Sequence, residues 1–240
     1  MARSAGDEPQ ESKRRHPRGA VRDGLVAAGL ELARAGGPDT VVLREATRVV
    51  GVVPNAAYRH FADRDELLAA VCAAAMRELA ERMAARVARV RGRHGDAAAA
   101  VRRLHAIGAA YLEFAHEEAG LFATAFALPQ RHSYNAPVDG PDPMALGQLR
   151  AVLDELVDAG VLDRRRREGI EFPIWSSVHG LAVLLGQGPL RDVDDATRAK
   201  LEGLSSTFIE SALTSPSSSS GVGRTEQRHQ DPRRRQGTST

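Results

Sequence analysis

Between Pro54 and Phe61 the chain carries Asn55, Ala56, Tyr58, Arg59 and His60, residue types that suit a groove of duplex DNA. An asparagine amide can pair two-handedly with adenine, an alanine can rest on a thymine methyl, and tyrosine, arginine and histidine can reach phosphate oxygens. On a solvated corner between two packed helices the same side chains would meet only water, and these residues alone leave both readings open. Catalytic sets are weaker. Ser176 and His179 lie three apart on one helical face, but no acid follows to orient the histidine and no glycine elbow presents the serine. His116-Glu117-Glu118 lacks the second histidine of a zinc helix, and there is neither a phosphate loop nor a dinucleotide glycine fingerprint. His105, His116, His132 and His179 are scattered, so each reads more simply as a core or surface histidine than as a metal ligand. No cofactor, metal or catalytic residue is expected.

The elements that must position the first set are short helices. Leu43, Ala46, Val49 and Val50 recur at helical spacing, and Gly51 can take the positive φ that stops a helix. Pro54 suits the first turn of the next helix, and Ala57 and Phe61 fall on one face of it. Two short helices joined by a tight glycine turn form a helix-turn-helix. Ahead of them, Val21, Leu25, Ala28, Leu32 and Ala35 form the stripe of a scaffold helix. Behind them, Asp63 to about Arg91 reads as a long helix capped by Asp63, with Leu68, Cys72, Ala75, Leu79, Met83, Val87 and Val90 as its apolar stripe.

Helix 1 from about Val21 to Ala35, the Gly36-Gly37-Pro38 break, Thr40 to Val50, Gly51-Val52, Tyr58-Arg59-His60-Phe61 and Asp63-Arg64-Asp65-Glu66-Leu67-Leu68 together resemble the TetR/AcrR family of bacterial transcription regulators. The match covers roughly residues 18 to 71. It implies a DNA-contacting set of Thr40, Arg44, Val53, Asn55, Ala56, Tyr58, Arg59, His60 and Arg64, with Arg64 where the long helix meets the DNA backbone. One departure stands out: the family usually has Ser or Thr before the recognition-helix proline, and this chain has Val53. Valine has no side-chain oxygen to cap the helix, a loss typically of ~1 kcal/mol, and it removes a customary phosphate contact.

Composition agrees with helices. Of 240 residues 42% are hydrophobic and only 4% aromatic, which favours aliphatic helix packing over a β-sandwich. Net charge is +2, unevenly placed: residues 13–64 hold ten Lys/Arg and five Asp/Glu, residues 65–213 seventeen and twenty-one. The basic surplus lies with the proposed DNA reader, where phosphate neutralisation would use it. No apolar run approaches a membrane span and the N-terminus lacks a signal peptide's apolar core, so a cytoplasmic protein with no membrane partner is expected. The lone Cys72 leaves no internal disulfide and reads as a small core residue.

Further along, helices are expected over Asp96 to His116, Leu121 to Leu128, Met144 to Ala159, Glu168 to Leu185 with a break or kink at Pro173, and Asp195 to Leu213; Pro129 to Pro143 reads as a loop. Leu201, Leu204, Phe208 and Ile209, beside the small residues Gly180, Ala182 and Gly203, suggest close helix pairing. In the resembled family the last two helices form a four-helix bundle with a second subunit, which implies a homodimer interface that includes Gly180, Leu201, Leu204 and Phe208. Trp175, His179 and Gly180 further resemble the WHG-type C-terminal domain of one TetR branch. The aromatic cluster Tyr111, Phe114, Phe122, Phe126 and Trp175, with His105 and His179, would suit a largely apolar small-molecule pocket, although the same residues could simply fill the core.

The expected fold is all-α, an N-terminal three-helix helix-turn-helix domain followed by a larger helical ligand-binding and dimerisation domain. The expected divisions are a disordered basic arm over 1–17, the DNA-binding domain over 18–66, the regulatory domain over 67–213 and a disordered tail over 214–240. The expected function is a ligand-responsive transcriptional repressor that binds a palindromic DNA operator as a homodimer and is released by a small-molecule effector. The alternative is a helical enzyme or ligand-binding protein without operator-specific DNA binding.

Overall fold

The computed structural model describes residues 18–128 and 144–214. The expected arm over 1–17, the loop over 129–143 and the tail beyond Thr214 lie outside them; Thr214 itself closes the last helix. Among the described residues every α or 3-10 segment is helical and no strand occurs. In chain order the helices are α1 (Arg18–Gly36), α2 (Leu43–Val50), α3 (Pro54–Ala57), α4 (Arg64–Ala88), α5 (Ala97–Glu117), α6 (Ala119–Ala125), α7 (Ala145–Asp158), α8 (Glu171–Gly186) and α9 (Asp195–Thr214).

Their ends follow local chemistry. Gly51 sits at φ 74° and ψ 28°, the left-handed conformation that ends α2, and its N–H and that of Val52 both reach the Thr47 carbonyl. The Asp63 carboxylate accepts the Glu66 N–H at 2.8 Å, while the Glu66 carboxylate accepts the Ala62 N–H, a reciprocal cap on α4. The Asp96 carboxylate caps α5 by accepting the Ala98 and Ala99 N–H groups. Val53 precedes α3 with no side-chain cap, as its chemistry requires. Pro173, expected to break or kink its helix, instead falls in the first turn of α8, where its missing N–H would have had no helical partner anyway.

One contiguous core runs from Leu25 of α1 to Leu213 of α9. Within it Ala57 and Phe61 bury the inward face of the reader, and Arg22 of α1 lies over the Phe61 ring at 5.2 Å. On α2 the inward set is Leu43, Ala46 and Thr47, whereas Val49, expected on that face, is exposed. Thr47 satisfies its hydroxyl on the Arg44 carbonyl at 2.7 Å and can therefore sit inside. The long helix α4, ~37 Å over its 25 residues, contributes Leu67, Leu68, Val71, Cys72, Leu79 and Met83 to the same core.

The reader half meets the rest of the chain most tightly at the end of α1. A Cβ on Gly120 in α6 would lie 2.2 Å from the Ala33 carbonyl oxygen and 2.8 Å from that of Arg34. Gly120→Ala should therefore destabilise the protein by ~1–3 kcal/mol, because backbone must move to admit one methyl. Gly108→Ala in α5, where a Cβ meets nothing within 4 Å, should instead stabilise by ~0.5–1 kcal/mol through helix propensity. Urea unfolding of the two variants beside the parent checks this; equal midpoints for all three would contradict the tight joint.

Candidate functional site

The polar face between Pro54 and Phe61 is presented as the residue spacing suggests. With Ala57 buried, Asn55, Tyr58 and Arg59 point outward, Tyr58 with 59% of its surface exposed, and Ala56 and His60 are half-buried. The helical path continues past α3 through Tyr58 N–H to the Pro54 carbonyl and Phe61 N–H to the Ala57 carbonyl. Val53 is 69% exposed at the front of this turn, and Arg44 is exposed on α2. Two of the expected contact residues also make internal hydrogen bonds. The Thr40 hydroxyl lies 2.6 Å from the Leu32 carbonyl and 2.7 Å from that of Gly37, fastening the end of α1 to the following 3-10 turn over Pro38–Thr40. Arg64 donates to the Pro38 carbonyl at 2.8 Å and stands within 4 Å of Asp39 and Asp65, so it braces the same turn against α4.

A cavity of about 560 Å³ lies between α4, α5, α7, α8 and α9. Of the expected pocket residues it takes in His105, Tyr111, Phe126 and Trp175. Phe114 does not line it: the ring is fully buried in the core with the Arg82 guanidinium over it at 5.2 Å. Phe122 and His179 instead border a second cavity of about 570 Å³ on the other side, shared with Pro38, Asp39 and Arg64. Phe126 lines both. The cause is helical geometry: Phe122 and Phe126 stack one turn apart, 5.2 Å between ring centres, and only the second reaches past His179, whose ring it meets at 4.7 Å.

The wall between the cavities is held by a hydrogen-bonded chain. Trp175 Nε1, which can only donate, points to the Tyr111 hydroxyl at 3.3 Å, and that hydroxyl is 2.8 Å from His179 Nδ1. The histidine tautomer sets the direction of that second bond: with the ring proton on Nε2, Nδ1 accepts the tyrosine hydroxyl. His179 is thus engaged with Tyr111, and a serine–histidine dyad with Ser176 has no support from this geometry. Among the described residues no group of three or more His, Cys, Asp or Glu is placed to hold a metal ion.

Glu202, Ser205 and Ser206 of α9 and Arg150 of α7, which the sequence did not single out, line the first cavity, as does Gly203, expected there only as a small residue for helix pairing. On the opposite side of α9, Leu204 and Phe208 are 57% and 66% exposed, and on α8 Val183 and Leu184 are also exposed. A Cβ at Gly180 would meet nothing within 4 Å, so that surface is open, and Leu201 is half-buried.

Comparison with known proteins now bears on this geometry. Residues 104–204 match the family model of the tetracyclin repressor-like C-terminal domain. That stretch, from α5 to α9, is similar to the C-terminal domain of TetR-type repressors. The chain is also similar in fold to a protein of unknown function from Rhodococcus sp. RHA1, at 22% identity and a TM-score of 0.62, over 85% of this chain and 100% of the other. A TetR-family transcriptional regulator from Pectobacterium atrosepticum aligns at 20% identity and a TM-score of 0.61, over 83% and 97% of the two chains. Another from Streptomyces coelicolor aligns at 21% and 0.51, over 81% and 80%. No curated protein matches the sequence.

The all-helical architecture, with an N-terminal helix-turn-helix and a C-terminal helical domain, is thus the TetR fold, and Trp175, His179 and Gly180 lie within the matched stretch. No described helix is long and apolar enough to cross a membrane.

Burial disfavours a charged His179 ring and holds its pKa below the ordinary histidine value. The unfolded chain, with histidine near its usual ~6.5, therefore takes up the proton first. Stability from this group is complete above that value and is lost as pH falls from it toward the lower folded-state value. His179→Gln can still accept the Tyr111 hydroxyl but cannot titrate. The stability advantage of the parent over this variant should shrink between pH 7.5 and pH 5 in urea titrations; a constant difference would show that His179 is not held neutral.

Proposed function

We propose that the protein is a homodimeric transcription regulator that binds operator DNA through the outward face around Tyr58 and responds to a small molecule held in the cavity of about 560 Å³. The observation that carries the reading is the pairing of an exposed Asn55/Tyr58/Arg59 face, backed by the buried Ala57 and Phe61, with the TetR-type regulatory domain. Asn55 and Ala56 are assigned to base edges, and Tyr58, Arg59 and His60 to phosphates. Arg44 and the exposed Val53 extend that surface, while Thr40 and Arg64 serve it indirectly by fixing the turn between α1 and α2. A single recognition helix reads only a few base pairs, and a two-fold dimer on a palindrome supplies the remaining specificity. The exposed apolar side chains of α8 and α9, Leu204 and Phe208 foremost, with Gly180 and Leu201 beside them, supply the dimer face.

The DNA-binding domain is assigned to 18–66 and the regulatory and dimerisation domain to 67–213. Repression with release by the effector follows if the ligand prefers the conformation that does not fit the operator; a hundredfold preference corresponds to about 2.7 kcal/mol of coupling.

Gel-shift titration with the promoter beside its own gene tests the reading. Tyr58→Ala should weaken binding to all sequences at matched salt, whereas Asn55→Ala should chiefly relax preference at one or two base pairs, each contact contributing ~1–3 kcal/mol. Parent-like affinity of the Tyr58 variant would remove the phosphate role. The assembly has its own test by light scattering at micromolar concentration. Leu204→Glu with Phe208→Glu should convert a dimer into a monomer that has lost operator binding, and a parent that already runs as a folded monomer would end the dimer assignment.

A further inference from the structure

Among the described residues the large apolar side chains that face solvent fall into two groups. Five, from Phe172 to Phe208, lie on α8 and α9, the helices assigned to the dimer. The other four, Val42, Val49, Val53 and Tyr58, all lie on the helix-turn-helix. Apolar surface left in water is unfavourable, so a second group gathered on one element calls for a second partner. Its surroundings indicate which. Arg44, Arg48 and Arg59 are exposed along the same stretch, Arg48 bound to Glu45 at 2.9 Å, and Asn55 is exposed among them. Guanidinium groups for phosphates, an amide for a base edge and apolar groups together match the major groove of DNA, whose apolar feature is the C5 methyl of thymine.

Val53 is the most exposed of the nine, at 69%. Its backbone is extended, at φ −70° and ψ 146°, within the range to which the following Pro54 confines it. A β-branched side chain also has few rotamers. Its two methyl groups are therefore held outward in a nearly fixed direction before any contact is made, so little freedom is lost on binding. Where a serine or threonine could reach a phosphate oxygen, valine has no group to donate. Asn55, two residues on, is the residue assigned to adenine, and every adenine brings a paired thymine whose methyl lies in the same groove.

We propose that Val53 is a specificity residue whose methyl groups pack on the C5 methyl of a thymine, in the base pair read by Asn55 or the pair next to it. The exchange of a hydroxyl for an isopropyl group thus trades a phosphate contact for a base contact. This rests on the reading of the Tyr58 face as the DNA contact, and it adds which atom of the DNA the apolar part of that face selects.

The test starts from a duplex that the full-length protein selects out of a random-sequence library. Deoxyuridine then replaces thymidine at one position at a time in both half-sites, which removes a methyl and leaves base pairing intact, and gel-shift titration at matched salt reads the affinity. At one thymine, on or beside the pair whose preference Asn55→Ala relaxes, the parent should lose about fourfold per methyl, or about fifteenfold over the two half-sites of a dimer. Val53→Ser should bind the thymidine and deoxyuridine duplexes alike, whereas Val53→Ile, which keeps a branched apolar side chain, should still distinguish them. A selected half-site without an A·T pair, a parent indifferent to every thymine methyl, or a Val53→Ser variant with the parent's full discrimination would overturn the assignment while leaving the face as a DNA reader. If no sequence is enriched, both the assignment and the DNA-reading beneath it are overturned.

Discussion

The rest of the structure depends on one joint, the contact between the end of α1 and the start of α6. Gly120 lies so close under the Ala33 and Arg34 carbonyls that no other residue fits without moving backbone. Around this contact Arg34 binds Glu118 at 2.8 Å, Glu78 at 3.0 Å and Glu31 across a turn of α1, and Arg82 binds both Glu117 and Glu118. Burial opposes the Arg34 charge, but the hydrogen bond that Arg34 donates to Glu118 and the carboxylates of Glu78, Glu118 and Glu31 outweigh it and keep its pKa above the ordinary arginine value. An isolated surface ion pair contributes little, but a shared network with partly buried members resists the loss of any one of them. α1, α4 and α6 are thereby held together at one point.

Because α1 also packs on the reader through Leu25, Ala28 and the Arg22–Phe61 contact, the joint sets the orientation of the Tyr58 face relative to α4 and the helices beyond. The second cavity lies directly beside it, between the 3-10 turn at Pro38, the start of α4 and the His179–Phe122–Phe126 aromatic wall. The other side of that wall faces the first cavity. A ligand there could shift the reader only by changing the packing of this wall or of α4, since packed aromatic rings and a close glycine contact leave few small adjustments.

How much of this was legible in the sequence differs from element to element. The helices, the Gly51 turn, the Asp63 cap and the missing cap at Val53 all rest on local chemistry, and local chemistry decided them. Val49 and Thr47 exchanged places because helical spacing marks a stripe only to within one residue, and a threonine can enter a core when its hydroxyl finds a backbone carbonyl. Phe114, Phe122 and His179 were grouped with Trp175 by type; which side of a wall each ring occupies is set by helix crossing, which no spacing encodes. α9 was the hardest. Leu201, Leu204, Phe208 and Ile209 read as one stripe, yet Ile209 points inward and Leu204 and Phe208 outward. A helix with two apolar sides does not reveal from its sequence which one meets its own chain.

A rigid joint between the proposed DNA reader and the proposed dimer face would make a demand on DNA that a loosely tethered reader does not. If the two Tyr58 faces of a dimer are held at one separation, they can engage only half-sites one helical turn, ~34–36 Å, or a multiple of it apart. Repeated selection of the full-length protein on a random-sequence duplex library, followed by sequencing of the bound pool, measures that separation. The account predicts an inverted repeat with one fixed spacing between its halves; a lone half-site, halves at variable spacing, or no enriched sequence would contradict it.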